Sequence, residues 1–198
     1  MSRSIDFFET QFRRQVDSGD LALNPFEAAA LPYLRGRVLD FGCGLGNLAL
    51  AAARNGCPVV ALDGSPTAIR QLAGTSAREG LALEAIEADL GSYCVAGEFD
   101  TAVSIGLLMF LDCGAARHQL ARLQDCVRPG GTAVVNVLIE GTTYLDMFDP
   151  AAHCLFGRDE LGQRFAGWEI LGESFDEFPA PGGTVKSFAT VIARKPEA

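Results

Sequence analysis

The chain has 198 residues, of which 48% are apolar and 21% charged, and its net charge is −9. A chain of this size buries about 70% of its unfolded surface in folding, and it holds no run of 18 or more apolar residues of the kind that spans a bilayer. The acidic balance, with no Lys/Arg-rich run, argues against nucleic acid or an anionic membrane surface as partner, though a helix N-terminus can still hold a small anion.

Met1 to Glu9 carries acids early and lacks the basic-then-apolar layout of a secretory leader, so a cytoplasmic location is expected. The apolar residues Ile5, Phe8, Phe12 and Val16 recur at helical spacing, and Asp17-Ser18-Gly19-Asp20 is expected to stop that helix. A second helix is predicted behind Asn24, a good N-cap, with Pro25 in its first turn and an end near Leu34.

Then strands and helices alternate. Arg37 to Phe41 reads as a strand, Leu45 to Arg54 as a helix stopped by Asn55-Gly56, and Pro58 to Leu62 as the next strand. Ser65 caps a helix with Pro66 at its first position, ending at Gly80. Leu81 to Ala88 and Phe99 to Ile105 read as strands, Ala115 to Val127 as a helix, and Thr132 to Ile139 as a long strand. Trp168 to Phe175 and Val185 to Ala193 are two further strands, and the Gly/Pro-rich Pro179 to Gly183 between them suits an antiparallel hairpin. Such alternation predicts an α/β fold: a Rossmann-like, mostly parallel seven-stranded sheet with helices on both faces and a C-terminal antiparallel hairpin. No repeat, low-complexity tract or Pro/Gly/Ser linker divides the chain. One domain over 1–198 is expected, a helical lid at 1–34 followed by a core at 35–198.

Six cysteines (Cys43, Cys57, Cys94, Cys113, Cys126 and Cys154) show no CxxC pair and no histidine at ligand spacing. They read as free, mostly buried thiols, with no metal site expected. A soft metalloid site on Cys113 or Cys154 is the sharper alternative.

The first strand runs into Asp40-Phe41-Gly42-Cys43-Gly44-Leu45-Gly46-Asn47. Three alternate glycines let the backbone turn tightly and approach a ligand, at the carboxyl edge of the sheet and at a helix start. The third glycine comes one residue earlier than in a dinucleotide fingerprint. Asp40 would repel a pyrophosphate but could pair with the α-ammonium of an amino-acid moiety. Asp63, 17 residues beyond Gly46, ends the second strand where a carboxylate can accept from both ribose hydroxyls. Asp89 ends the third, where it can accept from the exocyclic amine of adenine with Ala88 or Leu90 against the ring.

Val38 to Asn47, then Ala61-Leu62-Asp63, then Ala88-Asp89-Leu90 resemble the class I S-adenosylmethionine-dependent methyltransferases, and Arg128-Pro129-Gly130-Gly131 resembles the turn that this superfamily places before its fifth strand. Ser104 to Leu111, Arg158 to Leu161, Phe165 to Glu169 and Ser187 to Lys195 resemble the tellurite-resistance methyltransferases within it. The resemblance implies that S-adenosylmethionine is held by Asp40, Phe41, Gly42, Cys43, Gly44, Gly46 and Asn47, by Asp63, Gly64 and Ser65, by Ala88, Asp89 and Leu90, and by Ser104, Ile105 and Gly106. Cys43 then serves through its backbone. It further implies methyl transfer to a small-molecule acceptor: a chalcogen oxyanion, a thiol or another small nucleophile.

In that subfamily, basic and imidazole side chains of the terminal hairpin help form the acceptor site. The matching stretch here, Glu173 to Pro179, has neither His nor Arg, and its acids would repel an oxyanion. The acceptor pocket is expected between Ser104 to Phe110, the loop Glu140 to Asp149 and the N-terminal helix, whose Phe7, Phe8 and Phe12 would fold over the cofactor. His153 and Tyr144 are the acid–base candidates, while His118 reads as a surface or packing residue. Two rivals remain open: a binding protein that keeps the cofactor pocket as a sensor, and a nucleotide-dependent oxidoreductase.

Overall fold

A computed structural model describes residues 3–18 and 22–197, without the side chains of 3–7 and 17–18. Helix α1 (Arg3–Ser18) matches the apolar periodicity; its expected stop at Gly19-Asp20, and the side chains of Ile5 and Phe7, lie outside the described residues. Helix α2 (Pro25–Ala30) opens with a full capping box: Asn24 accepts from the amides of Phe26 and Glu27, and Glu27 accepts from the Asn24 amide.

Seven strands follow in the order β3-β2-β1-β4-β5-β7-β6 across one sheet. They are β1 (Val38–Phe41), β2 (Val59–Asp63), β3 (Leu83–Glu87), β4 (Phe99–Ile105), β5 (Val127–Leu138), β6 (Glu169–Ala180) and β7 (Thr184–Arg194). The first five pair in parallel, while β7 runs antiparallel to both β5 and β6. Between them stand α3 (Asn47–Arg54), α4 (Pro66–Glu79), α5 (Cys113–Cys126) and the short α6 (Glu160–Arg164). Ser65 caps α4 by accepting from the Ala68 amide, and Gly80 closes it in a left-handed conformation, as the sequence predicts. α6 is an addition to the expected elements.

Strand alternation sorts the core onto two faces. Leu39 and Phe41 pack with Leu120 and Leu123 of α5, whereas Val38 packs with Leu48 and Ala49 of α3 and Leu72 of α4. Asp40 therefore points to the α3 side, the side that α2 also covers. Helix α2 ends at Ala30, short of the expected Leu34, and α5 starts two residues early, at Cys113; the two larger differences lie in β5 and the hairpin. β5 begins at Val127, because the Pro129-Gly130-Gly131 turn bonds to the C-terminal strand through Gly130 and Lys195. The hairpin is longer than its apolar runs suggest, paired from Glu169↔Arg194 to Ala180↔Thr184. Backbone pairing carries this extension, since its residues are half-exposed and polar in part.

β1 lies between β2 and β4, where the chain reverses its direction of travel across the sheet. The crevice at the carboxyl ends of these strands is the place where open α/β sheets bind ligands. Among the described residues no helix is long and apolar enough to cross a membrane.

Candidate active site

β1 ends in the glycine loop. Gly42 has φ +88°, and a Cβ there would lie 2.7 Å from the Leu107 side chain, so the close approach of the loops after β1 and β4 requires glycine. A Cβ on Gly44 would meet the Phe12 ring at 3.2 Å; this glycine lets α1 dock over the loop. α1 is tied down a second way, since Glu9 accepts hydrogen bonds from the hydroxyls of Ser65 and Thr67. Burial alone would raise the Glu9 pKa, but those two bonds and Arg13 outweigh it and hold the carboxylate below its usual range.

Asp63 is fixed by the backbone around it. Its Oδ2 accepts from the Gly44 amide at 2.9 Å and its Oδ1 from the Ser65 amide at 2.8 Å. Burial raises its pKa, against the pull of these amides. Each oxygen keeps lone-pair capacity for a further donor. Asp89 is held in a turn, accepting from the Gly91 amide at 3.1 Å and the Ser92 hydroxyl at 2.9 Å. Asp40 is 5% exposed, its Oδ2 has no hydrogen-bond partner, and burial, then the fields of Glu27 and Asp63, push its pKa up to about 8. A buried carboxylate left unpaired is a costly arrangement, and it is relieved by any cation bound nearby.

These groups surround a cavity of about 650 Å³. Of the residues expected to hold the cofactor, Gly42, Cys43, Gly44, Asn47, Asp63, Gly64, Ser65, Ala88, Asp89, Leu90, Ile105 and Gly106 line it. Asp40, Phe41, Gly46 and Ser104 stand behind its wall: Phe41 is in the α5-side core, and Ser104 is fully buried. Asp40 reaches the cavity only from behind its wall, and the acid that reaches the wall on that side is Glu27, which the sequence reading missed. The capping pattern Asn24-x-x-Glu27 accounts for Glu27 locally and so gave no sign of a second role.

Of the two acid–base candidates, Tyr144 lines the cavity and His153 does not. His153 stacks on Phe148 at 4.9 Å, with Nδ1 3.2 Å from the Asp149 carbonyl, so it packs the loop. The hairpin also differs from expectation. The acids of Glu173 to Pro179 do not reach the cavity; Phe178, Pro179, Lys186 and Phe188 do. Directly opposed residues share a face of the sheet, and Phe178 pairs with Lys186. The cation sits on β7, outside the stretch Glu173 to Pro179. Asn136, at the end of β5, is the other unexpected lining residue.

The expectation of free thiols is corrected at one pair: Cys113 and Cys154 form a disulfide across 41 positions, with Cα atoms 4.8 Å apart. The loop after β5 carries Cys154 back beneath the first turn of α5, where its amide also donates to the Met109 carbonyl. No local spacing announces such a pairing. Cys43, Cys57 and Cys126 are free and buried, and Cys94 is free and exposed. Disulfides closing loops of this length typically contribute about 2–4 kcal/mol. Reduction is therefore expected to lower the melting temperature by about 4–16 °C, read by calorimetry with and without dithiothreitol; an unchanged transition would contradict it.

Residues 38–131 match the family model of a methyltransferase domain. Hemagglutinin 1 of Eikenella corrodens is 31% identical over 172 residues, covering 81% of this chain and 55% of that protein, so the chain spans about half the length of that relative. The crystal structure of TehB from Haemophilus influenzae superposes with a TM-score of 0.75 at 22% identity, over 88% of this chain and 63% of that one. That of the Burkholderia thailandensis 1,6-didemethyltoxoflavin-N1-methyltransferase does so with a TM-score of 0.67 at 22% identity, over 97% and 88%. The family match runs from the first residue of β1 into the turn within β5 and takes in the whole glycine-loop edge of the sheet: over that span the chain resembles the methyltransferase-domain family, and its fold is that of TehB.

Proposed function

We propose that the protein transfers a methyl group from S-adenosylmethionine to a small-molecule acceptor. The observation that carries this reading is Asp63, whose carboxylate is pinned by two backbone amides at the rim of a cavity that continues into an apolar half. The residues fit the cofactor: a glycine cradle that side chains would fill, and an unpartnered buried oxygen on Asp40. Asp63 takes the two ribose hydroxyls. Asp89 takes the adenine amine, with Leu90 against the ring. Glu27 faces the α-ammonium, and Asp40, protonated in the empty site, would give up its proton as that cation binds.

S-adenosylmethionine, when bound, supplies a methyl group already activated by the sulfonium charge. The chain's own task is to orient the acceptor and exclude water. Phe8 and Phe110, in edge contact at 4.8 Å, close the cavity from the α1 side. Cys43 lines the cavity, but burial pushes its thiol well above the usual range, which suits a backbone role. With no histidine in the wall, an acceptor that needs no strong general base is favoured. Residues 1–34 act in this reading as a lid on the core. Deleting residues 1–20 removes the Phe8 and Phe12 cover and is expected to weaken S-adenosylhomocysteine binding at least about tenfold, on the usual worth of buried aromatic area. Calorimetric titration checks this, and unchanged affinity would count against a lid.

The test of the function itself is product formation with methyl-labelled cofactor over a panel of small thiols, amines, phenols, carboxylates and selenite. Labelled product from any acceptor class supports the reading. Tight cofactor binding with no product across the panel would favour a sensor.

A further inference from the structure

The acceptor half of the cavity has a chemistry of its own. Phe26, Phe178 and Phe188 form a three-ring wall, with centroids 5.7, 4.9 and 5.9 Å apart pairwise. Phe178 remains 37% exposed, an apolar surface presented to the opening. Leu138 and Met147 continue the lining.

Against this wall stands one cation. The chain has two lysines. Lys195 is fully engaged, donating to the carbonyls of Gln124, Asp125 and Val127. Lys186 is half-buried in the cavity wall and makes neither a hydrogen bond nor an ion pair among the described residues; its ammonium lies 4.9 Å over the Tyr144 ring. Burial draws its pKa down, and an anion brought beside it would reverse that shift. The nearest hairpin acids do not serve: Asp176, on the same sheet face, accepts from the Ser174 hydroxyl, and Glu177 accepts from Ser187. The remaining charges in the wall, Glu27, Asp63 and Asp89, are all negative and lie on the cofactor side. Among the described residues an anionic ligand is thereby directed to Lys186 alone.

Resting on the methyltransferase reading, we infer that the acceptor is a small aromatic acid: a flat ring against Phe26, Phe178 and Phe188, its anionic group on Lys186, and an amine or hydroxyl as the nucleophile. That nucleophile's lone pair forms the bond to the methyl carbon as the sulfur–carbon bond breaks, and its proton passes to water. One lysine among aromatic rings suits a delocalised organic acid better than an inorganic oxyanion, whose several oxygens need several donors. The volume agrees. About 650 Å³ lies within the ~300–1,000 Å³ range of a single ligand pocket, and this one must take the cofactor as well.

The test measures binding to the full chain loaded with S-adenosylhomocysteine, using 4-hydroxybenzoate, 4-aminobenzoate, the uncharged 4-hydroxybenzamide, and selenite. The acids are expected to bind at least about tenfold more tightly than the amide, in the range of a charge-assisted contact. Lys186→Met should erase that preference, leaving amide affinity within threefold and S-adenosylhomocysteine affinity unchanged. Lys186→Arg should retain it. Equal binding of acid and amide, an equal loss of both in Lys186→Met, or binding of selenite alone would overturn the inference while leaving the methyltransferase reading in place. Failure to bind S-adenosylhomocysteine would overturn both.

Discussion

Asp63→Asn is expected to weaken S-adenosylhomocysteine binding by about 100- to 10,000-fold, the cost of two charge-assisted hydrogen bonds at about 1.5–3 kcal/mol each. The loss comes from both sides of the carboxylate. Its two oxygens each accept a backbone amide, from Gly44 and from Ser65; an asparagine can accept one of these and would set its own N–H groups against the other. The loop after β1 then loses its register against β2, and the ribose loses its paired acceptors. Isothermal titration with the variant checks this, with circular dichroism as a control that the sheet is intact. An affinity within threefold of the parent chain would place the ribose elsewhere.

Asp40→Asn carries the opposite sign for stability. The Asp40 pKa is raised by burial and by Glu27 and Asp63 to about 8 in the folded chain, against about 3.9 in an unfolded one. Between those values the native state retains a proton that the unfolded state releases, so Asp40 lowers stability progressively as pH rises from about 4 to 8. Asparagine, neutral throughout, escapes that loss. The variant and parent should be equally stable near pH 4 and should diverge by about 1.4 kcal/mol per pH unit, reaching roughly 4 kcal/mol in the variant's favour at pH 7. Urea unfolding across this range reads it directly. The same substitution removes a carboxyl that can give up its proton when the α-ammonium binds, so S-adenosylhomocysteine should bind more weakly to the more stable protein. A variant less stable than the parent at pH 7 would mean that Asp40 is ionised and paired in the folded chain.

Much of the parallel half of the fold is legible in the sequence because its signals are local. Ser65-Pro66 and Gly80 bracket α4, the apolar run Phe99 to Ile105 is β4, and the Gly42 to Gly46 loop requires conformations that side chains disfavour. The strand-end acids Asp63 and Asp89 are legible for the same reason, since a strand end fixes their position. What the sequence conceals depends on contacts between distant segments. Cys113 and Cys154 meet only because the loop after β5 returns beneath α5. Lys186 enters the site because hairpin pairing sets it opposite Phe178, an alignment of β6 with β7 that a one-residue slip would reverse. Glu27 is a helix cap by sequence and a cavity residue by packing. Asp40 shows the converse: its place in the motif suggests direct contact, but strand alternation turns it behind the wall.

Whether the glycine-loop edge of this sheet holds an adenosyl cofactor is decided by thermal unfolding in the presence of S-adenosylmethionine, S-adenosylhomocysteine and NADH, each titrated separately. A ligand at 100 times its dissociation constant adds about 2.7 kcal/mol, or roughly 5–10 °C for a chain of this length. Both adenosyl ligands are expected to give that shift, and NADH none. A shift with NADH alone, or none with either adenosyl ligand at millimolar concentration, would contradict it.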